Sequence, residues 1–266
     1  MRRWSPIINA ILFASVQISF GQVESPRRIN TIQFTGSTTF DETTLENQFR
    51  RVRVDERVTT SIIKWDIETN LKAFLNEHGF LQCQVTFEVV PLTAEDMNLH
   101  VMISEGSQYR LASLNLTGVK FFKKEAIAAK FDLHPGDIVN FKKIKRGLDT
   151  VKRLYEDFGF INFSYIPEQT FDEQNKTITL LFSIDEGSQY RIAYVAFVGC
   201  RDPDEEEHLK TQTIAQPGQS FNPELVKADT IRLKQMLDVG VKASTEIYPE
   251  KELVGIVYWL DSVTTK

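Results

Sequence analysis

Cysteine is nearly absent from this sequence: Cys83 and Cys200 are the two thiols in 266 residues. That excludes a disulfide framework, and a chain this long can bury a core without such staples. Both thiols are expected to be mostly buried. Histidine is almost as scarce. His78, His100, His134 and His208 fall in different segments and at no ligand spacing, so no metal centre is expected. The sequence also lacks G-x-G-x-x-G, G-x-x-x-x-G-K-[ST], G-x-S-x-G and H-E-x-x-H. A phosphate-cradling loop, a nucleophile elbow and a zincin helix are therefore not predicted. The expectation is a protein with no cofactor that is not an enzyme. Positive charge is the minority sign, 31 Lys and Arg against 36 Asp and Glu. An acidic chain without a basic tail does not suit nucleic acid, whose binding rests on neutralised phosphates.

Long apolar runs are missing beyond the first 22 residues, so no later stretch is expected to cross a membrane as a helix. The N-terminus itself has the three-part pattern of a secretory signal. Arg2 and Arg3 are followed by a mostly apolar stretch, 7–18. Ser19 and Gly21 are then small residues at −3 and −1 of a cut after Gly21. Residues 1–21 are read as a signal peptide; an uncleaved anchor is the alternative.

What the sequence has instead is a repeat. Glu-Gly-Ser-Gln-Tyr-Arg occurs at 105–110 and again, identically, at 186–191, a step of 81. Phe34-Thr-Gly36, Leu116-Thr-Gly118 and Phe197-Val-Gly199 recur at nearly the same step. So do His78-Gly-Phe80, Phe158-Gly-Phe160 and Val239-Gly-Val241, and Pro135-Gly136 with Pro217-Gly218. Markers in the same order with the same step define three copies of one unit.

The second copy is the clearest to read. Residues 110–116 alternate as a strand, 123–131 form a short helix, and Pro135-Gly136 is a turn. Asn140 caps a longer helix over 141–157, with Ile144, Leu148, Val151 and Tyr155 on one face. Residues 161–167 and 176–184 alternate as two more strands, with Pro167 expected to end the first. The order β-α-α-β-β also fits the first copy: strand 30–35, helices 41–49 and 60–77, strands 82–90 and 98–104. It fits the third copy too: strand 191–198, helices 203–214 and 223–238, strands 243–248 and 253–261. The expected fold class is α+β, three tandem two-layer units over 28–106, 109–187 and 190–264. In each unit the last strand is expected in the middle, parallel to the first and antiparallel to the fourth element.

This β-α-α-β-β unit resembles the polypeptide-transport-associated (POTRA) domain. The resemblance rests on Val151-x3-Tyr155-x3-Gly159-Phe160, Leu71-x3-Leu75-x3-Gly79-Phe80, and the closing Ser104-Glu105-Gly106 and Asp185-Glu186-Gly187. It covers about 28–264. Gly240 is followed by Val241 where the other copies have Phe, and the third copy lacks the closing Glu-Gly, as end repeats often do. The resemblance implies a periplasmic array that binds unfolded or precursor polypeptides, or docks an outer-membrane barrel protein. No barrel-length sequence follows the third copy, so a free array, a partner of a separately encoded barrel and a fragment of a barrel-assembly protein all remain open.

The expected binding mode is β-augmentation on the fourth element of each unit. The residues so placed are Gln82, Gln84, Thr86 and Glu88; Ile161, Phe163 and Tyr165; and Ser244, Glu246 and Tyr248. Two charge runs are read mainly as solvated surface. Asp202-Pro-Asp-Glu-Glu-Glu207 opens a helix, where carboxylates suit the N-terminal dipole. Lys142, Lys143, Lys145, Arg146, Lys152 and Arg153 crowd one helix and suggest weak contact with an anionic membrane surface.

Overall fold

The structure is a computed structural model that describes residues 24–261. The signal-peptide reading of 1–21 lies outside the described residues. Ten strands form three separate sheets: β1 (Arg27–Thr35), β2 (Arg57–Val58), β3 (Gln84–Pro91) and β4 (Asp96–Ser104); β5 (Arg110–Thr117), β6 (Ser164–Asp172) and β7 (Thr177–Asp185); β8 (Arg191–Val198), β9 (Val241–Tyr248) and β10 (Leu253–Leu260). Between them lie α1 (Glu42–Glu46), α2 (Thr60–Asp66), α3 (Lys72–Glu77), α4 (Lys124–Ala128), α5 (Phe141–Asp157), α6 (Pro203–Gln212) and α7 (Pro223–Leu237). The second and third copies follow the predicted order, and the first follows it with the two-residue β2 inserted between its helices. The last strand is central in every sheet: β2-β1-β4-β3, β5-β7-β6 and β8-β10-β9. β7 and β10 run parallel to β5 and β8 and antiparallel to β6 and β9, as expected.

Contacts divide the chain into two compact units. Of the described residues, one holds 24–71 together with Val85–Met102; the other holds Lys72–Gln84 and 103–261. In the first, Ile29, Phe34, Leu45, Phe49, Ile63 and Leu99 are buried. The second contains two cores, one around Leu111, Ile127, Ile144, Val151 and Ile178 and one around Ile192, Leu209, Leu233, Val254 and Ile256.

Three local features repeat or fail to repeat, and each has a physical reason. The first strand of every copy carries a bulge in register against its central partner, at Asn30, Ala112 and Ala193. A bulge re-aims the side chains after it and tightens the twist. The long helix of the first copy contains a π turn, Ile67–Leu71. Gly79 lies thirteen positions after Asp66, whereas Gly159 lies twelve after Gly147. The π turn absorbs the extra residue without breaking the helix.

The third feature is a buried carboxylate. Asp66 and Asp229 are both fully buried and sit at equivalent positions of α2 and α7. Asp66 accepts from the backbone N–H groups of Arg50, Arg51 and Val52 at 2.7–3.0 Å. Burial pushes its pKa up, but these N–H donors and Asn70 outweigh it and hold the carboxyl below its usual range. Asp229 accepts from Ile214 N and Ala215 N at 2.7 and 2.9 Å and from the Tyr258 hydroxyl at 3.2 Å. The equivalent residue of the middle copy is Gly147, and the Phe131 ring occupies the space. A Cβ there would stand 2.5 Å from that ring. The same fold is thus held by a polar pin in the first and last copies and by aromatic packing in the middle one.

Both thiols are half-buried rather than mostly buried. Burial and the Glu205, Glu206 and Asp202 carboxylates push the Cys200 thiol pKa up.

Replacing Asp229 by Ala leaves two backbone donors and a tyrosine hydroxyl without their partner. The expected cost is about 2–4 kcal/mol, read as a lower urea midpoint by circular dichroism. Gly147→Ala is expected to cost about 1–3 kcal/mol through overpacking on Phe131.

Candidate functional site

The duplicated hexapeptide forms a joint, and it forms the same joint twice. Gly79 and Gly159 close the long helices of the first and second copies with φ of +83° and +92°. Their carbonyl oxygens each accept from the backbone N–H of the next copy's tyrosine, Tyr109 and Tyr190, at 2.8 Å. One residue earlier, the carbonyls of His78 and Phe158 accept from the side-chain amides of Gln108 and Gln189 at 2.9 and 2.8 Å. Arg110 and Arg191 reach the carbonyls of Gly136 and Gly218 at 2.8 and 3.0 Å. A Cβ on Gly159 would come 2.5 Å from the Tyr190 carbonyl oxygen, so the position requires glycine for space as well as for φ.

The tyrosines differ in their second partner. The fully buried Tyr109 donates to the Glu173 carboxylate at 2.7 Å. Burial first, then this hydrogen bond, pushes its phenol up to about 12. The Tyr190 hydroxyl accepts from Asn162 at 3.3 Å. The Glu of the closing signature is structural too. Glu186 accepts from Lys120 N, Phe121 N and the Tyr155 hydroxyl at 2.7, 2.9 and 2.7 Å. Those bonds outweigh burial and keep its pKa low, while burial and Glu186 push the Tyr155 phenol up.

The expected binding surface is the free side of β3, β6 and β9. In each sheet the opposite edge is partly closed. β2 pairs with β1, while Ile138 bridges to Arg110 and Ser220 to Arg191. Among the described residues no strand lies beyond β3, β6 or β9. Gln84, Thr86 and Glu88 are exposed along β3. On β9, Ser244, Glu246 and Tyr248 share a face: Trp259 donates to Ser244 at 3.0 Å, and Tyr194 and Tyr248 donate to Glu246 at 2.5 and 2.7 Å. Those two hydroxyls lower the Glu246 pKa.

Three of the predicted edge residues lie before their strands. Gln82 sits in the turn after α3, where its side-chain oxygen accepts from Tyr109 at 3.2 Å. Ile161 packs against the third copy's core. Phe163 is buried, stacked on Tyr155 at 4.6 Å. The turn after Gly159 consumes these residues, so β6 starts at Ser164. Nor does Pro167 end β6, which continues to Asp172. An edge strand tolerates a proline whose missing N–H the sheet does not need. Tyr165 and Pro167 line a groove of about 500 Å³ with Phe141, Ile144 and Leu148 of α5, a feature the strand pattern alone did not reveal.

The charge runs resolve locally. Asp202 caps α6, accepting from Glu205 N at 2.8 Å. Among the described residues no cluster of His, Cys, Asp or Glu could hold a metal ion. On α5, Lys142, Lys143, Lys145 and Lys152 pair with Glu77, Asp132, Asp149 and Glu156 at 2.7–3.7 Å. No helix among the described residues is long and apolar enough to cross a membrane.

Fold and edges together define a serial array of small two-layer α+β modules. Residues 109–187 match the family model "POTRA: Surface antigen variable number repeat". The middle copy matches the POTRA domain over its full length, and the flanking copies carry the same sheet order around a central last strand. It is similar to the outer membrane protein assembly factor BamA of Buchnera aphidicola, with 24% identity over 205 residues, 75% of this chain and 33% of that protein. It is also similar to a putative outer membrane protein assembly factor of Treponema pallidum, with 21% identity over 251 residues, 89% and 29% of the two. The chain thus spans about a third of the length of these curated relatives. The crystal structure of Haemophilus influenzae BamA POTRA3-5 shares the fold, with a TM-score of 0.65 at 19% identity over 90% of this chain and 98% of that one.

At the joint, Gly159→Ala is expected to cost at least about 2 kcal/mol. Gly218→Ala, also at positive φ but facing open space, is expected to cost about 1 kcal/mol; melting temperatures compare the two. Tyr109 keeps its proton to about 12 in the folded chain, whereas the unfolded phenol releases it near about 10. Its contribution is therefore complete below about pH 10 and is lost as the pH rises from there through about 12. Tyr109→Phe should flatten that part of the stability–pH curve, as measured by urea unfolding at several alkaline pH values.

Proposed function

We propose that this chain is a non-catalytic, periplasmic polypeptide-binding array serving outer-membrane protein assembly. Extended precursor chains would add as a further strand to its open sheet edges. The observation that carries this reading is the repeated asymmetry of the sheets. Among the described residues, one edge of each is closed by a short strand or bridge, and the other, β3, β6 or β9, is left open over eight or nine residues. Natural proteins usually protect such edges, because unpaired N–H and C=O groups template another strand. Main-chain pairing gives affinity with little demand on client sequence, which suits clients whose shared property is being unfolded.

The edges are not equivalent. β9 runs without proline from Val241 to Tyr248 and is exposed from Lys242 onward. β6 carries Pro167 within it but lies beside the apolar groove of α5. A client on β6 would gain side-chain burial in place of one backbone bond. The relatives named as assembly factors support the setting.

The test is a proline scan of neighbouring positions, Thr86 and Phe87 on β3, Thr245 and Glu246 on β9. Of two neighbours on an edge strand, one points its N–H outward, where proline removes a donor without touching the sheet's own ladder. The outward variant is expected to weaken binding of a fluorescent, unfolded outer-membrane protein segment about tenfold, with an unchanged circular dichroism spectrum. Unaltered affinity across all four positions would overturn the augmentation route.

A further inference from the structure

We infer that the middle copy carries a second interaction surface, distinct from its strand edge: an aromatic and cationic patch that docks on an anionic lipid surface. The patch centres on Lys120-Phe121-Phe122-Lys123-Lys124, the end of the loop between β5 and α4 together with the first residue of α4. Phe121 is 45% exposed, and Phe158, at the end of α5, is 42% exposed. Their rings stand 5.7 Å apart. Phe122 packs on both, at 4.9 and 5.3 Å, and on Tyr155 at 5.0 Å. Phe160 backs Phe121 at 4.8 Å. Two phenyl rings are therefore presented outward on a bed of aromatics that fixes their position.

The loop is held rigidly as well. The buried Glu186 carboxylate accepts from both Lys120 N and Phe121 N, and Tyr155 pins the carboxylate from the other side. A preformed loop loses little conformational freedom on docking, which favours its use as an anchor.

Charge identifies the occupant. Lys120, Lys123, Lys124 and Lys130 are exposed and make no ion pair among the described residues. Glu125 is the sole carboxylate within 120–130. This contrasts with α5, where four lysines already face carboxylates. The contact expected of the α5 lysines is thus better supported on the neighbouring loop. The other copies provide the comparison. The same loop reads Ser37-Thr-Thr-Phe-Asp-Glu42 in the first copy and Cys200-Arg-Asp-Pro-Asp-Glu-Glu-Glu207 in the third. Only the middle copy joins unpaired lysines to exposed aromatics. Exposed rings flanked by cations that keep their charged heads in water are the side-chain set of an interfacial anchor. The rings enter the headgroup boundary and the lysines meet anionic lipid.

This surface does not depend on the polypeptide-binding reading, and a local probe separates the two. The photoreactive residue p-benzoylphenylalanine is placed at Phe121, or at exposed Ile231 of α7 as control, in the full chain. The N-terminal apolar segment is then common to every sample. Samples are irradiated with vesicles of phosphatidylcholine alone or with about 30% phosphatidylglycerol, each with an unfolded outer-membrane protein segment present. Position 121 is expected to form lipid adducts in anionic vesicles at least about fivefold more than in neutral ones. The combined Lys120→Glu, Lys123→Glu and Lys124→Glu variant should abolish that excess, while Lys142→Glu with Lys145→Glu should retain it. Circular dichroism checks that each variant is folded. Adducts to the polypeptide in place of lipid, equal adducts in both vesicles, or equal yield at Ile231 would each overturn the proposal.

Discussion

The carbonyl oxygen of the glycine that ends the long helix, in the first copy and again in the second, is the fixed point from which the following copy is built. In the left-handed conformation it turns outward and accepts from the tyrosine that opens the next first strand. Once that bond is made, the neighbouring glutamine and arginine find their carbonyl partners at the same offsets in both joints. The lone Lys72–Gln84 segment of the first copy belongs to the larger compact unit for this reason. Its end is hydrogen-bonded into the second copy through Glu77, His78, Gly79 and Gln82.

That arrangement separates two duties. The hexapeptide, the closing Glu and the helix-ending glycine are spent on joints and loops, so the glutamine, tyrosine and arginine of the identical segments are already engaged in hydrogen bonds. The strand edges and the loop after the first strand carry no such duty, and there the copies diverge. β6 has a proline and a groove, β9 a Tyr–Glu–Tyr set, and the loop after the first strand changes from acidic to basic between copies. A serial array built this way keeps its joints constant and varies its surfaces.

Much of the fold was legible because its signals are periodic. The Gly markers, the alternation of 176–184 and the i, i+4, i+7 face of 141–157 predicted the elements to within a few residues, and the central place of the last strand followed from the two intervening helices. What was not legible depends on neighbours distant in sequence. The bulges at Asn30, Ala112 and Ala193 respond to the pairing strand. The start of β6 at Ser164 depends on a turn that buries Phe163 against Tyr155. The buried roles of Asp66 and Asp229 were hidden because a charged residue on a helix reads as surface until its partners are seen. The charge of α5 was visible in the sequence, but its neutralisation by Glu77 and Asp132 was not.

The exchange of Asp for glycine at the seventh position of the middle copy's long helix has a consequence for how such an array can evolve. Tandem copies invite recombination between one another, which tends to make them uniform. Here, a conversion that carried the aspartate into the middle copy would set a carboxylate into the space that the Phe131 ring fills. The reverse conversion would leave the loop amides of the outer copies bare. Each copy's helix has become matched to its own short loop, so the shared joints can homogenise freely while the helices resist it.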